Sequence, residues 1–246
     1  MVLHKYEVTY TRCCNCGFIQ TETPYWLAES YSSAMTSYDL GGVSRPRANS
    51  AVTKAVIDAF FDQNGRFLDF GGGYGILTRW MRDIGYDFWH SDAHTSNLFA
   101  QGFEADLSLP SRYELATAFE VFEHLTDPRE TVGFLLGLTD AILFTTDLLP
   151  EPAPQIKDWW YFGPEHGQHI AFYTRKALAV LAEQYGSHYV TNGGSFHLLT
   201  RKRVPSRLFR IVVQRHVSKL LYFLRRRPSL LPSDFQDAMT KAKSSK

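Results

Sequence analysis

The run EVFEHL, residues 120–125, holds two carboxylates and an imidazole at Glu120, Glu123 and His124. If a helix begins there, the i, i+3 and i+4 spacing puts all three on one face. Two carboxylates and an imidazole are hard-to-borderline ligands suited to Mg2+ or Mn2+. Two other readings fit the same residues: scaffold beside a bound cofactor, with Glu120 lining its pocket, or the solvated first turn of a helix. A second cluster stands in DWWYFGPEHGQHIAFYT, residues 158–174, where Glu165, His166 and His169 accompany Trp159, Trp160, Tyr161 and Phe162. A histidine with a near-neutral pKa can take a hydroxyl proton or serve as a further ligand beside Glu123 and His124. The aromatic rings offer stacking surface to a sugar or base, or else fill core.

The elements that must position these groups follow from periodicity. RANSAVTKAVIDAFFDQNG reads as a helix stopping at Gly65; RFLDF is a strand entering the glycine turn GGGYG and the helix ILTRWMRDIG. YDFWHSD is the next strand, HTSNLFAQG a short helix or turn, FEADL a brief third strand and YELATAFEV a fourth. DPRETVGFLLGL is helical, AILFTTDLLP is a strand, RKALAVLAEQYG is a helix, and HYVTNGGSFHLLTRK is a hairpin turning at Asn192-Gly193. This alternation predicts an α/β, doubly wound, mostly parallel sheet covered on both faces, closed by an antiparallel terminal strand. Ligands of such sheets bind at the carboxyl ends of the strands, where the glycine turn and residues 120–124 both fall.

A glycine-rich turn after a first strand brings backbone N–H groups and a helix N-terminus to a ligand. The dinucleotide fingerprint G-x-G-x-x-G fails here, because its third glycine would stand at Ile76. The residues present are Asp69-Phe70-Gly71-Gly72-Gly73-Tyr74-Gly75, with an acid two positions before the first glycine. This resembles the first motif of the class I S-adenosylmethionine-dependent methyltransferases. The resemblance covers about residues 50–200: Asp92 in FWHSD matches the ribose-binding acid, Asp106 in FEAD the acid near the adenine, and ELATAFEVFEHLTDP the fourth strand and the segment after it. It implies a Rossmann-like fold and a bound S-adenosylmethionine, with Asp69 near the methionyl ammonium. The E-x-x-E-H string is also similar to that of metal-dependent members, the small-RNA 2′-O-methyltransferases and the ubiquinone-biosynthesis O-methyltransferases. Similar strings occur in relatives with no metal known, so the scaffold reading stays open beside the metal reading. YFGPEHGQHIAFYT resembles a segment of the sugar C-methyltransferases in which a histidine looks like the base.

Those sugar enzymes carry an N-terminal zinc module with four cysteines, and Cys13-Cys14-Asn15-Cys16-Gly17 resembles its first half only. A tetrahedral site would need His4 or a carboxylate to complete it, so a metal-free hairpin over residues 5–22 is the expectation and zinc is not. Three cysteines and no apolar leader in MVLHKYEVTYTRCC fit a reducing, cytoplasmic setting, and no apolar run reaches the roughly 20 residues of a membrane span.

Charge is split along the chain. Residues 1–183 carry 13 Lys/Arg against 23 Asp/Glu, net −10, and residues 184–246 carry 13 against 2, net +11. The basic part either folds back on the acidic body or meets an anionic partner through residues 201–227: a membrane surface at which the chain sits peripherally, an anionic glycan, or, ranked behind these, nucleic acid. Within it, residues 206–225 read as one amphipathic helix, with Phe209, Val212, Val213, Leu220, Phe223 and Leu224 on one face and Arg207, Arg210, Gln214, Ser218 and Arg225 on the other. Packing of the apolar face on the domain or on a partner subunit is favoured over an interfacial helix on anionic lipid. The expected organisation is a cysteine hairpin with a Tyr/Ser-rich connector (1–45), a methyltransferase domain (46–204) and a basic extension (205–246). The expected activity is methylation of a hydroxyl on a saccharide or polysaccharide-linked sugar. RNA 2′-O-methylation, sugar C-methylation and non-catalytic cofactor binding with docking through the basic tail are the alternatives.

Overall fold

The N-terminal alternation closes into an antiparallel hairpin, β1 (Tyr10–Arg12) and β2 (Ile19–Thr21), with the three cysteines in its turn. The computed structural model describes residues 1–32, 40–108, 112–224 and 226–244. After the single turn α1 (Leu27–Ser30), the Tyr/Ser-rich connector lies outside the described residues over 33–39. Helix α2 (Ser44–Phe60) ends ahead of the expected stop at Gly65, because Phe61 takes an extended backbone and buries its ring.

There follow β3 (Arg66–Phe70), α3 (Ile76–Asp83), β4 (Asp87–Ser91), β5 (Leu115–Ala118), α4 (Pro128–Leu138) and β6 (Ala141–Thr145). Helix α4 starts with Pro128 at its first position and with the Asp127 side chain accepting the N–H groups of Arg129 and Glu130, a capped start legible in the sequence. The short β7 (Ala171–Phe172), helix α5 (Arg175–Gln184) and the hairpin β8 (His188–Thr191) and β9 (Phe196–Thr200) complete the body. FEADL does not form the expected third strand. It makes one parallel bridge, His90 to Glu104, after Gly102 turns the chain at φ +86°, and Glu104 is spent accepting from Asn97 and the Gly102 N–H.

The main sheet has the order β4-β3-β5-β6-β9-β8, parallel from β4 to β6 and antiparallel beyond. Phe67, Leu115, Leu143 and Leu198 face a core shared with α2 and α3, and Leu68, Ala116, Ile142 and Leu199 face one shared with α4 and α5. Burial on both faces is why these strands read as continuous apolar runs. From β3 the chain crosses first to β4 and then back to β5, so the strand order reverses between β3 and β5 and opens a crevice at their carboxyl ends. A second sheet, β1-β2-β7, carries the segment after β6 across that crevice.

The C-terminal residues form three helices, not one amphipathic helix over 206–225: α6 (Ser206–Val212), α7 (Arg215–Phe223) and α8 (Leu231–Ser244). Phe209, Val212 and Val213 enter the core as expected, while Leu220, Phe223 and Leu224 are exposed and Ser218, assigned to the polar face, is buried. The break is at Gln214, whose extended backbone lets α7 lie along α2. There the buried Lys54 ammonium donates to Asp58 at 2.5 Å and to the carbonyls of Leu221 and Leu224 at 3.2 Å, holding the end of α7. Arg225 lies outside the described residues.

Helix α8 is tied to α3. Arg82 grips the Asp234 carboxylate with two parallel bonds of 2.7 and 2.9 Å, and Arg79 adds a third at 2.8 Å. Burial works to raise the Asp234 carboxyl, but the guanidinium groups outweigh it and hold it below its ordinary value. Asp234→Ala removes the two bonds from Arg82 and the one from Arg79 and leaves Arg82 only Asp87 and the Phe88 carbonyl, so a loss of about 2 kcal/mol in urea unfolding is expected. Because the folded pKa is depressed, this contribution is present at neutral pH and fades as pH falls below about 4. Wild type and Asp234→Ala therefore converge in acid, and equal stability at pH 7 would show the pair to be idle.

Candidate functional site

The glycine turn closes the end of β3 against the end of β5. A side chain on Gly71, at φ +67°, would place its Cβ 2.5 Å from Val121. Gly73, at φ +58°, has nothing within 4 Å of where its Cβ would stand, so its backbone is open to close approach by a ligand. Two side chains from β4 and its end hold the turn: the His90 Nε2–H donates to the Gly73 carbonyl at 2.8 Å, and Asp92 Oδ2 accepts the Gly73 N–H at 2.9 Å. The other oxygen of Asp92 accepts the N–H groups of His94 (2.7 Å) and Thr95 (2.8 Å), so one carboxylate joins two loops. Asp69 is buried under Gly72 and accepts from the Thr78 and Thr117 hydroxyls at 3.0 and 2.9 Å. Burial pushes its carboxyl upward, and the two hydroxyls offset that in part.

Asp69, Gly71, Gly72, Gly73, Asp92 and Glu120 all line one cavity of about 1290 Å³ at the crevice. Gly75 caps α3 and turns instead toward Asn97 and Ala100. Asp106 lies on an exposed turn, accepting from Ser108, and is not among the residues lining the cavity.

EVFEHL does not start an α-helix. Glu120 leaves β5 at φ +55°, its N–H donating to Thr145 Oγ at 2.9 Å and its carboxylate accepting from the same hydroxyl at 2.6 Å. A single 3-10 turn, Phe122–His124, comes next and points Glu123 inward. Glu120, Glu123 and His124 therefore do not share one helical face. The partner brought to Glu123 and His124 is His169: one ligand atom from each of these three residues lies within 4.8 Å of the others, the one such group of three among the described residues. Glu120 stands outside it, pinned to Thr145, although its charge reaches Glu123.

Backbone pairing makes this convergence. The Ile170 N–H donates to the Glu123 carbonyl at 2.8 Å, and Tyr173 Oη donates to the Phe122 carbonyl at 2.9 Å, so the segment before β7 runs alongside the 3-10 turn. The His169 Nδ1–H donates to the Tyr161 carbonyl at 2.6 Å, and the His124 Nδ1–H to the Gln168 carbonyl at 3.0 Å. A carbonyl only accepts, so both protons sit on Nδ1 and both Nε2 lone pairs are left over. Burial holds both imidazoles neutral, His124 down at about 4 and His169 well below its ordinary value, with His124 adding to the effect on His169. Glu123 is fully buried and neither carboxylate oxygen has a hydrogen bond of good geometry. Desolvation, then Glu120, push its carboxyl well up, more than the facing hydroxyls of Tyr161 and Thr146 pull it down.

Neutral imidazoles whose Nδ1–H is anchored on a carbonyl, beside an unpartnered buried carboxyl, match what a divalent cation requires of its ligands and their supports. His166 is different: its Nδ1 accepts the Gln168 N–H at 3.1 Å, so its proton is on Nε2 and it presents a donor. Glu165 is exposed on the cavity wall near it.

Of the aromatic cluster, Tyr161 and Phe162 are buried with Ile19 and Phe172, whereas Trp160 is 76% exposed on the cavity wall. Sequence reasoning missed His90, His94 and Tyr31. Tyr31 stacks on His94 at 4.6 Å and reaches His124 Nδ1 at 3.0 Å, roofing the cavity from the N-terminal side. Nothing in its Ser-rich surroundings announces that role. Cys13, Cys14 and Cys16 are free thiols, and no histidine or carboxylate completes a three-ligand group with them among the described residues.

The family profile described as "Methyltransferase domain" matches residues 45–192. Among solved structures, a 1,6-didemethyltoxoflavin-N1-methyltransferase of Burkholderia thailandensis, bound to its substrate and S-adenosylhomocysteine, is similar with a TM-score of 0.52 at 15% identity, over 79% of this chain and 98% of that one. The magnesium protoporphyrin IX methyltransferase of Synechocystis PCC 6803 with bound SAH gives 0.47 at 15% identity, over 72% and 93%. Human N-acetylserotonin methyltransferase with SAM gives 0.47 at 14%, over 72% and 66%. No curated protein matches the sequence.

Proposed function

This chain belongs to the class I S-adenosylmethionine-dependent methyltransferases, and on that premise we propose that it methylates a hydroxyl oxygen of a saccharide or polysaccharide-linked sugar, with a divalent cation held by Glu123, His124 and His169. The observation that carries this reading is the buried Glu123 carboxyl, without a hydrogen-bond partner, facing two anchored, neutral histidines. Bound S-adenosylmethionine supplies an electrophilic methyl group, and a bound Mg2+ or Mn2+ would supply Lewis acidity that lowers the pKa of a hydroxyl beside it.

The chain's own residues do the rest. Asp92 and the Gly71–Gly73 backbone fix the donor at the strand ends, with Asp69 beneath them. His166 offers its Nε2–H to an acceptor oxygen, Glu165 is the exposed carboxylate on that wall that would take the proton, and the open face of Trp160 suits a sugar ring. A second reading, base catalysis by His169 without a metal, rests on the same Nε2 lone pair. The basic residues 201–227 we assign to an anionic surface, a membrane or a glycan.

Transfer of a labelled methyl group from S-adenosylmethionine to a panel of saccharides, followed by NMR of the product, tests the proposal. The expected product is a methyl ether, formed only after Mg2+ or Mn2+ is restored to chelator-treated protein. Turnover untouched by chelator moves the work to His169. Label entering RNA oligonucleotides, or a new C–CH3 bond, overturns the saccharide hydroxyl as acceptor.

A further inference from the structure

Residues 201–227 contain no acid; Arg201 and Lys202 pair with Asp140 and Glu114 on the body, whereas Arg207, Arg215 and Lys219 stand on the outer faces of α6 and α7. In α7, Ser218 is buried and Val217 and Leu221 are partly buried on the side of α2, and the opposite arc carries Arg215, Lys219, Leu220 and Phe223. Leu220 is 62% and Phe223 64% exposed, beside the cations of the same arc. In α6, where Phe209 and Val212 enter the core, the outer arc pairs Arg207 with Ile211, 50% exposed. Among the described residues Arg207, Arg215 and Lys219 have no acidic partner. Both helices are seated on the body, α6 by its buried side chains and α7 by Lys54 on its last carbonyls.

We propose that this α6–α7 face docks on an anionic lipid bilayer, with Ile211, Leu220 and Phe223 among the acyl-chain tops and Arg207, Arg215 and Lys219 at the phosphates. The inference rests on the anionic-partner reading of residues 201–227 and is independent of the chemistry in the cavity. An anionic glycan would use the cations and leave the exposed Phe and Leu without a role. A second copy of the chain would set like charges against each other. A bilayer uses both kinds of side chain at once.

Co-sedimentation of the full chain with vesicles tests this, using phosphatidylcholine alone and phosphatidylcholine mixed with phosphatidylglycerol. Wild type is expected to bind only the anionic vesicles and to be released by salt. Leu220→Ser with Phe223→Ser, and separately Arg215→Glu with Lys219→Glu, are each expected to lower partitioning roughly tenfold or more. Both pairs should leave the melting temperature and S-adenosylhomocysteine affinity unchanged, which separates failure of this surface from failure of the catalytic reading. No binding to either vesicle overturns the proposal. So does binding to a soluble sulfated polysaccharide that the Leu220/Phe223 pair does not weaken, or a concentration-dependent dimer that the same pair dissolves.

Discussion

Glu123→Gln is expected to abolish binding of Mn2+, measured by titrating the ion into protein saturated with S-adenosylhomocysteine and following free Mn2+ by electron spin resonance. Wild type should take up one ion per chain. Outer partners of metal ligands alone are worth about 10–100-fold in affinity, so removal of a ligand carboxylate should exceed that range. The comparison variants give the prediction its edge. Glu120→Gln should have the smaller effect, because Glu120 is outside the three-residue group and its carboxylate already accepts from Thr145. His166→Gln should leave uptake nearly intact, because His166 Nδ1 is occupied by the Gln168 N–H. Glu123→Gln should fold about as well as wild type without metal, since burial and Glu120 favour the neutral carboxyl and an uncharged amide of the same shape replaces it. If neither wild type nor variant takes up Mn2+, Glu123 is a buried neutral acid and the cation leaves the mechanism.

Asp92→Ala is the second large effect. Its carboxylate accepts three backbone N–H groups, from Gly73, His94 and Thr95, which leaves about one of its roughly four lone-pair sites for the proposed bond to a ribose hydroxyl. Hydrogen bonds to a charged acceptor are worth about 1.5–3 kcal/mol each. Removal loosens the glycine turn and deletes the proposed ribose contact together, so a loss of about 3 kcal/mol, roughly a hundredfold in S-adenosylhomocysteine affinity by calorimetry, is expected. Asp92→Asn should fall between, because an amide keeps one acceptor oxygen and turns its NH2 toward an N–H donor. Wild-type affinity in Asp92→Ala would remove Asp92 from the cofactor site.

These two residues also mark how far the chain is legible from its residues alone. Asp92 and the glycine turn are local features: a strand, its end and the turn after it are adjacent in the chain, and periodicity with glycine spacing is enough to locate them. The same holds for α4, whose Asp127 cap and Pro128 start are written in consecutive residues. Glu123 and His124 are legible as candidates, but their geometry is not. The α-helix expected over EVFEHL is a 3-10 turn, because Glu120 takes a left-handed backbone fastened to Thr145 on a neighbouring strand. FEADL and the helix over 206–225 fail for the same reason, since whether a short apolar run pairs, bends or breaks depends on what it meets.

By itself, then, the sequence determined the α/β alternation, the switch-point turn with Asp69 and Asp92, and the residue types able to do chemistry, because those depend on near neighbours in the chain. Only the tertiary structure decided that His169, and not Glu120 or His166, joins Glu123 and His124. That grouping depends on β2 pairing with β7 and on the Ile170 N–H meeting the Glu123 carbonyl, contacts between distant segments that no local spacing encodes.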